Sequence, residues 1–346
     1  MHRLGAIADQ LAASPASPAS PSRVAASGEL RAGIIGLDTS HSVAFSKALN
    51  ADDKGPELCG CRIVAAVPRG SADIESSVER IPGYIEEVTA VGVKVVETIE
   101  EMLELVDVVF LETNDGRPRL AQAMPVLLAG KPMFIDKPVS ASLEDTLAIY
   151  AVAKKLGVPI FSSSSLRWAD GALEARNGDF GAVLGCDVHG ACSLENTQPD
   201  LFWYGIHGVE MLFTVMGTGC ATVARSSTEN TDLCVGTWED GRVGSFRGMR
   251  DKYDYGGNAF GADSIKPLGG SPGYEIMLVA ILEFFRTHVA PMTEEETMQI
   301  YAFMIAADAS KMAGGAPVST ATVLAEAKIK AQRIVSGLRG DDAPMI

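Results

Sequence analysis

The chain has 346 residues, 47% of them hydrophobic, and a formal net charge of −15 at neutral pH. That length and apolar content allow a sizeable core and suggest two globular domains. The acidic balance argues against nucleic acid or an anionic membrane as a partner, since either would be repelled over most of the exterior, and no run reaches the roughly 18 apolar residues of a membrane span.

The six cysteines include no C-x-x-C pair. Cys59 and Cys61 lie too close together in a strand-like run to bridge. Reduced thiols in a cytoplasmic protein are the simpler reading, and a zinc site from Cys59, Cys61 and His41 lacks a second ligand pair, so no metal is expected.

Residues 1–30 are Ala/Ser/Pro-rich and predict a disordered tail. Then "RAGIIGL" reads as a strand running into a turn, and "HSVAFSKALN" as a helix. "CRIVAAV", "VKVVE", "DVVFLET", "PMFIDKP" and "VPIFSSSS" read as further strands. "TIEEMLELV", "AQAMPVLLAG" and "LEDTLAIYAVAKKLG" read as the helices between them, the last two stopping at glycine. This alternation predicts an α/β fold with a Rossmann-like, doubly wound parallel sheet over 31–165. Beyond it the texture changes. "LCVGTWEDGRVGSFRG" predicts a hairpin turning at Asp240-Gly241, and "WYGIHGVEMLFTVMG", "GYEIMLVAILEFFRTHV" and "EEETMQIYAFMIAADASKMAGG" predict helices packed on a sheet. The expectation is a second α+β domain over 166–346.

The first turn, "GIIGLDTSHS", carries one glycine of a dinucleotide-binding Gly-x-Gly-x-x-Gly. Gly36 matches, while Asp38 and His41 occupy the other two positions. A carboxylate about 4 Å from a phosphate is repelled by roughly 4 kcal/mol at an effective dielectric near 20, so Asp38 is expected to point away and cap the following helix. The alternative is that Thr39, Ser40 and the helix N-terminus donate to phosphate oxygens. Gly36, Asp38, Thr39, Ser40 and His41 are thus the candidate cofactor residues of this turn. After "CRIVAAV" no ribose-binding acid follows; Arg69 and Ser71 stand there instead, a pair suited to a 2′-phosphate.

The run "GKPMFIDKPVS" resembles the Gfo/Idh/MocA family of NAD(P)-dependent oxidoreductases, whose Rossmann domain ends in a strand carrying Glu-Lys-Pro. Asp136-Lys137-Pro138 stands at that place. "DVVFLETNDGRPRLAQAMPVLLAGKPMFIDKPVS", "WYGIHGVEMLFTVMG" and "AADASKMAGGAPV" resemble further family segments in the same order. The resemblance implies a Rossmann domain followed by an α+β domain with an open mixed sheet, the sheet that commonly forms a dimer in relatives.

It also implies roles. Lys137 matches the lysine between nicotinamide and substrate, and His207 the histidine of the family's Asp-x-Gly-x-His, with Trp203 replacing the aspartate. Both are expected to be catalytic, handling the proton. Trp203, His207 and Glu210 are spaced to share one helix face, where Glu210 would orient the imidazole. Glu112, Asn114 and Asp136 are expected to face the cofactor, with Arg119 beside them facing nicotinamide or substrate. Arg167 and Trp168, at the domain crossing, are expected to contact substrate together with Trp203, Tyr204 and Glu210.

The implied activity is hydride transfer between NADP or NAD and a sugar, polyol or cyclitol-like substrate, by a homo-oligomer (dimer or tetramer). The rivals are a non-redox protein binding a sugar-like ligand on the same scaffold, and a hydrolase or lyase using NAD transiently.

Overall fold

The computed structural model describes residues 28–251, 254–270 and 272–338. The expected tail lies outside them up to Ser27. The chain divides into two units. One runs through Phe161 and takes in Leu278–Pro291 and the stretch from Ala327, and the other comprises Ser162–Met277 and Met292–Glu326.

The first unit is built on six strands, β1 (Leu30–Ile35), β2 (Cys61–Val67), β3 (Lys94–Val95), β4 (Val108–Leu111), β5 (Met133–Asp136) and β6 (Ile160–Ser163). Their order is β3-β2-β1-β4-β5-β6, with parallel pairing from β3 through β5. Every residue of β4 and β5 is buried, as a strand covered on both faces requires, which is why these segments read as apolar runs rather than alternating ones. The chain leaves β1 toward β2 and β3, then returns to β4 on the other side. In sheets of this kind such a reversal marks the ligand-binding end, here beyond the carboxyl ends of β1 and β4.

Helix α1 (Ser40–Asn50) follows β1, and α2 (Glu75–Ala90), α3 (Ile99–Leu103), α4 (Arg119–Leu128) and α5 (Leu143–Leu156) follow the next strands. Helix α5 shows how local chemistry sets the ends. Ser142 Oγ accepts from the Asp145 amide at 3.1 Å, acids fill the first turn and lysines the last, and Gly157 closes it at φ 67°. Each feature satisfies orphan backbone groups or matches the helix dipole.

The second unit holds strands β7 (Val183–Ala191), β8 (Cys220–Ser227), β9 (Thr231–Trp238), β10 (Val243–Met249), β11 (Gly256–Gly261), β12 (Ile265–Leu268) and β13 (Val318–Ser319), in the order β12-β11-β7-β10-β9-β8-β13. β7 and β10 are parallel and the other pairs antiparallel, so the mixed sheet is as expected, and Asp240-Gly241 turns the β9–β10 hairpin with Gly241 at φ 87°. Beyond α6 (Ala172–Arg176), helix α7 (Gly205–Met216) is buried at every position. A Cβ on its Gly208 would lie 2.2 Å from the Phe246 ring, so glycine lets this helix press onto β10.

The remaining helices are α8 (Glu275–Thr287), α9 (Glu294–Met312) and α10 (Thr320–Leu338). The expected continuous second domain over 166–346 needs correcting at α8. Phe284 packs on Phe161 with ring centroids 4.7 Å apart and Phe285 on Phe110 at 5.2 Å, while Arg286 Nη2 donates to the Cys59 carbonyl at 2.6 Å. Aromatic burial therefore returns 278–291 to the first unit. All six cysteines are free, and only Cys59 is exposed.

Candidate active site

The turn after β1 is tight for a specific reason. Gly36 has φ 101°, and a Cβ there would lie 2.3 Å from the Thr113 amide nitrogen at the end of β4. Asp38, next in this turn, is fully buried. Its Oδ2 accepts from Ser77 Oγ at 2.7 Å and its Oδ1 from the Asn114 amide at 2.9 Å, while Arg80 donates to its carbonyl at 3.3 Å. Burial raises its pKa against the pull of those hydrogen bonds.

The expected helix cap at Asp38 is thus corrected. Thr39 caps α1 instead, accepting from the His41 amide at 3.4 Å, and Asp38 stitches the turn to α2 and to the loop after β4. Ser40, in the first turn of α1, is exposed, and that turn contains no acid.

His41 turns inward. Its Nδ1 lies 2.9 Å from Asp136 Oδ2 and 3.9 Å from Glu112 Oε2, and its ring stacks on Phe45. Glu112 and Asp136 each sit at the carboxyl end of a parallel strand, one residue beyond the paired Leu111 and Ile135, so the register sets two carboxylates side by side. Burial, and then the charge of Asp136, raise the Glu112 pKa well above the ordinary range. Burial alone would also raise Asp136, but His41 beside it carries its pKa below the usual value. No metal site was expected from sequence, yet donor atoms of His41, Glu112 and Asp136 gather within 4.8 Å of one another.

Arg119 does not face solvent. It is fully buried and donates to the carbonyls of Thr113 and Asp136, a structural role that replaces the expected one. Lys137 follows Asp136 and precedes Pro138 across a cis peptide bond. It is 9% exposed, and burial lowers its pKa, opposed by the charge of Asp136.

At the end of β2, Arg69 is exposed and donates to the Glu97 carbonyl at 3.2 Å, but the Ser71 hydroxyl donates to Asp115 at 2.5 Å. Arg117 bridges Asp115 to Asp73. The pair read as a phosphate clamp is therefore not assembled: one member is exposed and the other is tied to an acid. Asn114 contributes its amide to Asp38.

In the second unit, His207 is 9% exposed and its Nδ1 lies 2.6 Å from Ser164 Oγ, which also accepts from the Leu166 amide. Either the serine or Nδ1 can donate in that contact, since a hydroxyl that accepts from one amide keeps a second lone pair; in both cases it fixes the ring orientation. Tyr204 and Tyr255 flank the imidazole at about 6 Å.

Glu210 is not the residue that orients His207. It accepts from Ser163 Oγ at 2.5 Å and from Arg167 Nε at 3.0 Å. Arg167 also reaches Glu296 at 2.6 Å, and Arg176 clamps the same carboxylate. Arg167 and Glu210 are 2% and 3% exposed, so the substrate contact expected of both gives way to a buried ionic network. The expected shared face also fails. Trp203 and Tyr204 precede α7 and are half-buried, as is Trp168 in the turn Ser165–Trp168. Ser163 and Ser164 were missed in sequence, although the polar run "SSSS" closing an apolar strand was their signal.

Residues 30–164 match the model of a family described as an oxidoreductase family with an NAD-binding Rossmann fold, GFO_IDH_MocA. Comparison with curated proteins gave no match. Among solved structures, the chain is similar to scyllo-inositol dehydrogenase from Lactobacillus casei with bound NAD(H) and scyllo-inositol (TM-score 0.66, 14% identity, covering 85% of this chain and 99% of that one). It is likewise similar to myo-inositol 2-dehydrogenase from Lactobacillus plantarum (TM-score 0.66, 15% identity, 84% and 99%). At these identities the likeness establishes the fold.

Proposed function

We propose that this chain, whose residues 30–164 are a Rossmann domain of the Gfo/Idh/MocA oxidoreductase family, transfers a hydride between a nicotinamide dinucleotide and a hydroxyl-bearing or carbonyl carbon of a polyol, cyclitol or sugar-like substrate. One observation carries the reading: a lysine nine-tenths buried at the carboxyl end of β5, Lys137, in a sheet whose order reverses between β1 and β4. Ligands of open α/β sheets bind outside those strand ends. The names of the similar inositol dehydrogenases support the substrate class.

The first turn fits a dinucleotide. The Asp38 carboxylate is held inward by Ser77 and Asn114, which removes the repulsion its position suggests, and the α1 N-terminus offers backbone amides with no acid in its first turn. Gly36, Thr39 and Ser40 would hold the pyrophosphate there. A nicotinamide held there would supply the hydride chemistry. Lys137 Nζ hydrogen-bonds the reacting oxygen, takes or returns its proton and stabilises charge that develops there. Within the second unit, His207, with Nδ1 held by Ser164, leaves Nε2 as a further candidate proton-handling group. NAD(H) is favoured over NADP(H), because Ser71 is committed to Asp115 and the Asp73 and Asp115 carboxylates beside that loop disfavour a 2′-phosphate.

Helices long and apolar enough to cross a membrane are absent among the described residues. Exposed Leu184, Val243 and Ile265 on strands of the second sheet support self-association.

Calorimetric titration with NAD(H) and NADP(H), followed by turnover on a panel of inositols and sugars, tests the reading. Lys137→Met is expected to bind cofactor normally and lose about 10² to 10⁴ in kcat, with little change in Tm. Parental turnover by that variant overturns the role of Lys137. Absence of heat with both cofactors favours the non-redox ligand-binding reading.

A further inference from the structure

We infer that His41, Glu112 and Asp136 bind one divalent transition-metal cation of the zinc or manganese class. The three donor atoms lie within 4.8 Å of one another, and all three residues are buried, Glu112 completely. The independent sign is what surrounds them. Both oxygens of Glu112 and Oδ1 of Asp136 are shielded from solvent and have no hydrogen-bond partner among the described residues. A buried carboxylate without a partner is costly, and such groups are otherwise paired or coordinate a metal.

The fold itself creates the demand for positive charge. Parallel pairing of β4 with β5 leads Glu112 and Asp136 out of adjacent strands side by side, and like charges so placed repel. Arg119, buried beside them, donates to the main-chain carbonyls of Thr113 and Asp136, and its charge and that of Lys137 act on both acids from a distance. His41 stands 2.9 Å from one acid and 3.9 Å from the other. In a tetrahedral site with bonds near 2.0–2.2 Å, donor atoms stand roughly 3.3 Å apart. His41 and Asp136 are already within that spacing, and closing the widest separation, at most 4.8 Å, asks for about 1.5 Å of side-chain movement at most.

One imidazole and two carboxylates suit zinc or manganese better than copper(I), which prefers thiolates, or calcium, which takes six to eight oxygens. Three protein ligands leave a coordination position open, as in metal sites that also hold water or a ligand. The site rests on donor chemistry alone and is independent of the hydride-transfer reading.

The test is direct metal analysis of the full chain. Protein stripped with a chelator is titrated calorimetrically with Zn²⁺ and separately with Mn²⁺, and bound metal is counted by plasma mass spectrometry after dialysis. The expected result is one ion per chain and a rise in Tm on loading. Glu112→Gln, nearly isosteric, is expected to weaken binding by about 100-fold or more and abolish the rise in Tm. His41→Gln serves as the second variant, with circular dichroism confirming that each is folded. The inference is overturned if the parent retains neither ion, or if folded Glu112→Gln binds as the parent does, which would place the metal elsewhere, for instance at the exposed Cys59. A chain that binds metal but no dinucleotide overturns only the proposed function. The converse overturns only the metal site.

Discussion

Substituting Arg167 by methionine separates a buried ionic network from a ligand contact. The guanidinium, 2% exposed, reaches Glu210 at 3.0 Å and Glu296 at 2.6 Å. Without it Glu296 keeps Arg176, whereas Glu210 keeps only the Ser163 hydroxyl as a hydrogen-bond donor among the described residues. Glu210 must then hold an uncompensated charge or take up a proton. Burial already raises its pKa and Arg167 opposes that rise, so removing the arginine raises it further. From an ordinary glutamate value of about 4.3, neutralisation at pH 7 costs up to about 3.7 kcal/mol at 1.36 kcal/mol per pH unit, but only about 1 kcal/mol at pH 5. The upper figure agrees with the roughly 3–5 kcal/mol lost on breaking a buried pair. The sign follows from proton counting. The folded variant binds a proton that the unfolded chain has released, so its stability falls as pH rises. Urea denaturation of parent and variant at pH 7 and pH 5, read by circular dichroism, should therefore show a large deficit at pH 7 that shrinks at pH 5. Glu210→Gln in the same chain should recover most of it. A variant with the parent's denaturation midpoint at pH 7 but weakened ligand binding refutes the reasoning and returns Arg167 to the substrate.

Three further substitutions probe the first unit. Asp38→Ala leaves Ser77 Oγ and the Asn114 amide without their acceptor and should cost about 2–3 kcal/mol in urea; unchanged stability with tenfold tighter dinucleotide binding would mean that the carboxylate faces the phosphates. Gly36→Ala drives a Cβ to 2.3 Å from the Thr113 amide at φ 101° and should cost more than about 3 kcal/mol or prevent folding, so a variant with the parent's Tm contradicts the turn geometry. Asp107, despite its burial, is held below its usual pKa by Arg31, so its contribution is present above about pH 4 and is lost as pH falls through the folded value. Asp107→Asn should therefore lose about 0.5–1 kcal/mol at pH 7, a modest figure because Arg31 is half exposed; a deficit persisting at pH 2 argues against the ion pair.

Part of this protein is written in local chemistry. The alternation of apolar strands and helices between Leu30 and Ser163, the Ser142 cap with its Gly157 stop, and the Asp240-Gly241 turn are legible because each depends on neighbours within a few residues. Helix α2 was not legible, because Pro82 and Gly83 break its pattern, and it supplies the Ser77 that holds Asp38. Local signals favoured Asp38 as a helix cap. Burial decided otherwise, since the carboxylate finds two donors that come from α2 and from the loop after β4.

The residues of the site show the same division. The resemblance of Asp136-Lys137-Pro138 located a strand end, but not which strands lie beside it. Alternation predicts a parallel sheet without stating its order, and it is the order β3-β2-β1-β4-β5-β6 that brings the turn after β1 to the ends of β4 and β5. His41, Glu112 and Asp136 come from three separate βα connections, and no short-range pattern joins them. They meet because strand adjacency is set by long-range burial of apolar faces, a property of the packed sheet rather than of any segment within it.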